Sequence, residues 1–115
     1  MDKKTEALSI RQSEKDGITT YNLTGKLTAQ TAHIFNRCLD ELHDVGNGIH
    51  IDLSGLSEID SIGLQSLSKL AKVVKAFKKE YKLINVNDTI YDVLQRTGYA
   101  DVFTVNKRAE ERFTR

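Results

Sequence analysis

Ile49-His50-Ile51-Asp52-Leu53-Ser54-Gly55-Leu56-Ser57-Glu58-Ile59-Asp60-Ser61-Ile62-Gly63-Leu64 changes its period along its length. At its start, apolar Ile49, Ile51 and Leu53 alternate with His50 and Asp52, the pattern of a half-buried strand. At its end a different count begins. Leu64, Leu67, Ala71 and Val74 recur at three- and four-residue spacing, the stripe of an amphipathic helix that should begin near Asp60-Ser61. Between the two, Ser54 to Ile59 reads as a loop. A strand leading through a loop into a helix is the first half of a parallel crossover.

Upstream, Leu8 and Ile10 alternate with polar neighbours, and Asp16-Gly17 is a pair suited to a tight turn. Ile18 to Leu23 resumes with β-branched and aromatic residues, so the chain should open with a β-hairpin ended by Gly25. Ala32, Phe35, Leu39 and Leu42 then trace a helix of about four or five turns. Thr28 reads as its N-cap and Gly46-Asn47-Gly48 as its stop. Downstream, Leu83, Ile84 and Val86 form a strand, and Asn87-Asp88 caps a short helix carrying Ile90, Val93 and Leu94. Gly98 closes that helix, and Val102-Phe103-Thr104-Val105 is a last strand. The order β-β-α-β-α-β-α-β predicts an α/β fold: a mixed β-sheet with an N-terminal hairpin, parallel inner strands and helices packed on the sheet.

A length of 115 residues suits one domain, with a core of about 6–105 and a charged C-terminal tail over 106–115. The balance of 17 basic against 16 acidic residues, a net charge of +1, argues against a nucleic-acid binder held by charge. Lysines 69 to 79 therefore read as a solubilising outer face. No apolar run could span a bilayer, and Met1-Asp2-Lys3-Lys4 lacks an apolar leader, so a cytoplasmic location is expected. Cys38, the single cysteine, excludes an internal disulfide and reads as a core residue. His33, His43 and His50 lack metal-ligand spacing and read as solvated. Without a nucleophile constellation, paired acid and base, metal set or glycine-rich phosphate cradle, neither an enzyme nor a cofactor is expected.

Ser61 is the residue with chemical potential. The first N–H groups of a helix lack internal partners and carry partial positive charge, so a phosphate there sits in a favourable field. Gly63 should leave the backbone uncovered, so that a partner could approach closely. The structural alternative is that Ser61 simply caps the helix, and Asp60 could equally be the cap.

Four groups of residues, taken in order, resemble the STAS family of sulfate transporters and anti-sigma factor antagonists over about 6–105. They are Gly25-Lys26-Leu27, Ile51-Asp52-Leu53-Ser54, Ile59-Asp60-Ser61-Ile62-Gly63-Leu64, and Leu83-Ile84-Asn85-Val86 with Leu94-Gln95-Arg96-Thr97-Gly98-Tyr99. The resemblance to stand-alone members implies that Ser61 is a regulatory phosphorylation site. It also implies partner switching: the unmodified protein binds an anti-sigma factor with serine kinase activity, phosphorylation ends the complex, and a serine phosphatase restores it. The implied partner surface comprises Ser57, Glu58, Asp60, Ser61, Ile62, Gly63 and Leu64, with Lys69 and Lys72 on the helix that follows. Two positions depart from the family pattern: Ile62, often Ser or Thr, and Thr28, often acidic. The competing expectation is a STAS subunit of a membrane ABC transport complex of the phospholipid type. The oligomeric state is left open.

Overall fold

Asp16 and Gly17 both take positive φ (56° and 81°), the backbone of the two-residue turn whose twist matches its flanking strands. They join β1 (Leu8–Lys15) to β2 (Ile18–Leu27) in a hairpin registered from Leu8 opposite Gly25 to Lys15 opposite Ile18. The computed structural model describes residues 7–42 and 44–99, and the backbone of 105–107. It continues through α1 (Ala32–Asp40), β3 (Gly48–Ile59), α2 (Ser61–Ala76), β4 (Glu80–Val86), α3 (Asp88–Arg96) and β5 (Val105–Lys107). The sheet order is β1-β2-β3-β4-β5, with the first pair antiparallel and the others parallel.

One face of the sheet makes the core. Tyr21, Leu23, Ile49, Ile51, Leu53, Tyr81 and Leu83 are buried there. Against them lie Phe35 of α1, Leu67, Leu70, Ala71 and Val74 of α2, and Ile90 and Leu94 of α3. Residues alternating with these, including Thr20, Asn22, Lys82 and Ile84, are only half-buried. His50 on that second face is not a solvated histidine as expected, because its Nε2 lies 2.6 Å from Glu80 Oε2. That hydrogen bond holds the Glu80 carboxyl below its ordinary range. Cys38 is half-buried against the core, and burial pushes its thiol pKa up. His33 is exposed, and His43 lies outside the described residues.

Three boundaries differ from expectation. The first helix begins at Ala32, not near Thr28, because two hydroxyls build a separate turn ahead of it. Thr31 Oγ1 accepts from Thr28 N (2.9 Å) and donates to the Lys26 carbonyl (2.8 Å), while Thr28 O accepts from the N–H groups of Thr31 and Ala32. The helix also ends earlier, at Asp40. The glycines expected to stop it instead seat the next segment on the hairpin, where Asn47 N donates to Gly17 O (2.8 Å). Gly25 does not end β2. It sits within the strand at φ 107°, where a Cβ would lie 2.1 Å from the Ala7 carbonyl oxygen.

A fourth difference matters most for function. Ser54 to Ile59, expected as a loop, is the second half of β3. There β3 pairs with β2 alone, because pairing with β4 stops at Asp52–Ile84. Two register shifts place an extra residue on β3 each time, so burial falls at Leu53, Leu56 and Ile59 rather than at every second position. Of the last expected strand, residues 102–104 lie outside the described residues, and the strand present is Val105–Lys107. Asn106 and Lys107, read as part of the tail, thus belong to the sheet; residues 108–115 lie outside the description.

Candidate functional site at the start of the second helix

The bulged end of β3 delivers the chain to Asp60, whose extended backbone (φ −114°, ψ −174°) turns it into α2. Asp60, and not Ser61, is the N-cap. Its Oδ1 accepts from Gly63 N at 2.9 Å, and its Oδ2 accepts from Ala29 N at 3.0 Å. One carboxylate therefore caps the helix and ties it to the Thr28–Thr31 turn. Asp60 N also donates to the Leu27 carbonyl (3.3 Å).

These N–H donors, Gly63 first and Ala29 next, hold the Asp60 carboxyl below its ordinary range. Because the folded-state pKa is depressed, the stabilisation is complete above the ordinary carboxylate range and is lost as pH falls through the lowered value. Asp60→Ala should cost about 1–2 kcal/mol at neutral pH. Asp60→Asn keeps one acceptor oxygen, enough to cap the helix at Gly63 N, but loses the one that meets Ala29 N, so it should cost no more than alanine and should flatten the acid limb. Urea midpoints followed from neutral pH down to pH about 3 check both; an acid limb unchanged in Asp60→Asn would refute the assignment.

Ser61 occupies the first position inside the helix and is exposed, and its hydroxyl has no hydrogen-bond partner among the described residues. The fold does not use this side chain. Ile62 beside it is 39% exposed, a large apolar side chain left in solvent at the helix start. Gly63 does not do what was expected of it. It is buried rather than open, and a Cβ there would lie 2.2 Å from the Leu27 carbonyl oxygen. Glycine is required for close packing against β2, not for access by a partner. Leu64 is half-buried against the core.

Among the other expected site residues, Ser57 is exposed, and its Oγ donates to the Gly25 carbonyl (3.0 Å). Glu58 is exposed and paired with Lys26 (3.6 Å). Lys69 and Lys72 are exposed two and three turns along α2 from Ser61. By helical spacing, Ser61, Gln65, Lys69 and Lys72 fall on one solvent-facing side. Ser57, Glu58, Asp60, Ser61 and Ile62 thus share one end of the molecule with the two lysines running away from it.

Two residues of the site carried no sequence signal of their role. Ala29 lends a backbone N–H, which no side-chain pattern reveals. Asn87, expected only as a cap, accepts from Ile90 N (3.0 Å) and also donates through Nδ2 to the carbonyls of Leu56 (2.7 Å), Leu53 (3.1 Å) and Ser54 (3.3 Å). It supplies the donors missing where β4 has left β3. Buried Asp52 holds the same departure point, accepting from Ser54 N (2.9 Å) and from Asn85 Nδ2 (2.8 Å). Among the described residues no group of three His, Cys, Asp or Glu side chains could hold a metal ion, and no helix is long and apolar enough to cross a membrane.

The sequence matches the STAS domain family over residues 9–111. The chain belongs to that family. This STAS domain is similar to the anti-sigma-B factor antagonist of Bacillus subtilis, with 25% identity over 103 residues covering 90% of this chain and 93% of the relative. The corresponding antagonist of Listeria monocytogenes is 27% identical over 101 residues, covering 86% of this chain and 87% of the relative. The crystal structure of an anti-sigma factor antagonist from Mycobacterium paratuberculosis superposes with a TM-score of 0.78. It covers 86% of this chain and 85% of that one at 17% identity, a likeness of fold.

Proposed function

We propose that this STAS domain is a cytoplasmic, non-enzymatic anti-sigma factor antagonist controlled by phosphorylation of Ser61. Unmodified, it binds an anti-sigma factor with serine kinase activity; the phosphorylated form dissociates, and a serine phosphatase returns it. The observation that carries this reading is the division of labour at the start of α2. Asp60 caps the helix, so the exposed Ser61 hydroxyl is available for chemistry without disturbing the fold. The named activity of the relatives supports the same role.

The switch is electrostatic. A phosphoserine adds about −1.5 to −2 charges. Here they would arrive beside the Asp60 carboxylate, at the centre of a surface formed by Ser57, Glu58, Ile62, Leu64, Lys69 and Lys72, with Gly63 packed beneath it. Any acidic partner group is then repelled, and the doubly charged group must be desolvated on binding. Either effect can exceed the roughly 1.4 kcal/mol of a tenfold loss in affinity.

Ser61→Ala should change stability by no more than about 0.5 kcal/mol, since no cap is lost. It should bind the kinase and stay bound in the presence of ATP. Ser61→Asp should fold equally well and bind at least tenfold more weakly. The test incubates the protein with the ATPase-type kinase of its own genome and ATP, maps phosphate by mass spectrometry and measures binding by calorimetry. Stoichiometric phosphate on Ser61, absent from Ser61→Ala, supports the proposal. An unmodified Ser61 beside an active, bound kinase overturns it, as does capture of a transporter ATPase subunit with no kinase.

A further inference from the structure

Along the second half of α2, from Lys69 to Phe77 and about 12 to 24 Å from Ser61 by helical rise, a groove of about 360 Å³ lies between α1 and α2. Val45 and Leu70 close its floor, and Leu39 and Leu42 line one wall. The other wall presents Val73 and Phe77, which are 44% and 63% exposed. Phe77 is the most exposed large apolar side chain among the described residues. Isolated surface apolar residues need no explanation, but two flanking an apolar groove mark a contact surface.

The charges around the groove are sorted by bank. The α2 bank carries Lys69 and Lys79; the α1 bank carries Asp40 and Asp44. None of the four has an ion-pair partner among the described residues. A surface with a basic bank, an apolar stripe and an acidic bank is complementary to itself under one operation, a two-fold rotation about an axis running along the stripe. That rotation sets each basic bank against the acidic bank of the other copy and stripe against stripe. A two-fold across the stripe would oppose like charges.

We propose that this groove is a self-association face taking a second copy of this chain, with Val73 and Phe77 buried at its centre and Lys69 and Lys79 facing Asp40 and Asp44 of the other copy. An isologous interface of this kind uses one patch twice, so the interface carries two symmetry-related clusters of opposite-charge contacts. The apolar centre supplies affinity, and the sorted charges fix the orientation. The proposal does not rest on phosphorylation of Ser61, and Ser61→Asp should associate like the wild type.

Sedimentation velocity from micromolar to millimolar concentration tests it. The wild type should form a dimer reversibly, and Phe77→Asp should weaken dimerisation at least tenfold with an unchanged circular dichroism spectrum. Two further variants test the charge pairing. Lys69→Asp with Lys79→Asp makes both banks acidic. Asp40→Lys with Asp44→Asn makes the acidic bank basic, the asparagine keeping the oxygen that accepts from Gly46 N. Each alone should remain monomeric, and an equimolar mixture should form a heterodimer. A wild type that stays monomeric to millimolar concentration overturns the proposal. So does a mixture that stays monomeric although both variants are folded. If the wild type is monomeric while Phe77→Asp loses affinity for the kinase, the groove belongs to a different partner.

Discussion

Gly63→Ala is expected to destabilise the protein by about 3 kcal/mol, at the upper end of what overpacking costs. The added methyl carbon would lie 2.2 Å from the Leu27 carbonyl oxygen and 2.9 Å from Ile59 Cγ1. The first obstacle is backbone. Leu27 is 0% exposed and its carbonyl accepts from Asp60 N, so it cannot yield without dragging β2 out of the core or breaking the entry into α2. The sign of the effect is informative. In an exposed helix, Gly→Ala stabilises by about 1 kcal/mol. Were Gly63 a point of access for a partner, alanine would strengthen the fold and weaken binding. The packing role forecasts a fall in Tm of the order of 10 °C, measured by calorimetry on the isolated protein. A neutral or stabilising outcome refutes it.

Asn87→Ala should cost about 2–4 kcal/mol, the sum of a lost helix cap and two or more partly buried carbonyls left without donors. The two contributions can be separated. Asn87→Asp retains the acceptor that caps α3 and is an equally good cap residue. It removes both N–H donors and aims a carboxylate at the oxygens of Leu53, Ser54 and Leu56, which the asparagine amide now satisfies. If capping alone mattered, aspartate would be harmless. The geometry requires aspartate to be at least as damaging as alanine, by urea denaturation at neutral pH. Since Asn87 secures the part of β3 that delivers Ser61, both variants should also raise hydrogen exchange at residues 54–60.

The strands whose two-residue period is undisturbed, β1 and the first half of β3, were legible, as was the Asp16-Gly17 turn that needs two positive φ values. The α2 stripe and the Asn87 cap were equally plain. Misreadings fell where a local pattern is overwritten by something distant. Ser54 to Ile59 reads as a loop because two register shifts turn its burial into a three-residue period, and those shifts depend on β2. Thr28 resembles a cap, yet Thr31 and Lys26 claim its surroundings for a turn. The site was legible as a position, Asp60-Ser61 at a helix start, but not as a division of roles. The choice between the two residues rests on the Asp60 bonds to Gly63 and Ala29, and Ala29 lies 31 residues away in sequence. The resemblance to a family supplied the chemistry for Ser61, which periodicity could not.

With Asp60 as the cap, Ser61 is idle in the fold. A substitution at position 61 escapes the usual filter on mutations, because chaperones and proteases respond to lost stability and find nothing to remove. Under the switch proposed for Ser61, a regulated copy can therefore drift into a constitutive one, or back, in one step through fully folded intermediates. At position 60 the same step would meet a stability barrier. Duplicated genes for such a domain could then diverge first in whether they are switched and only later in shape.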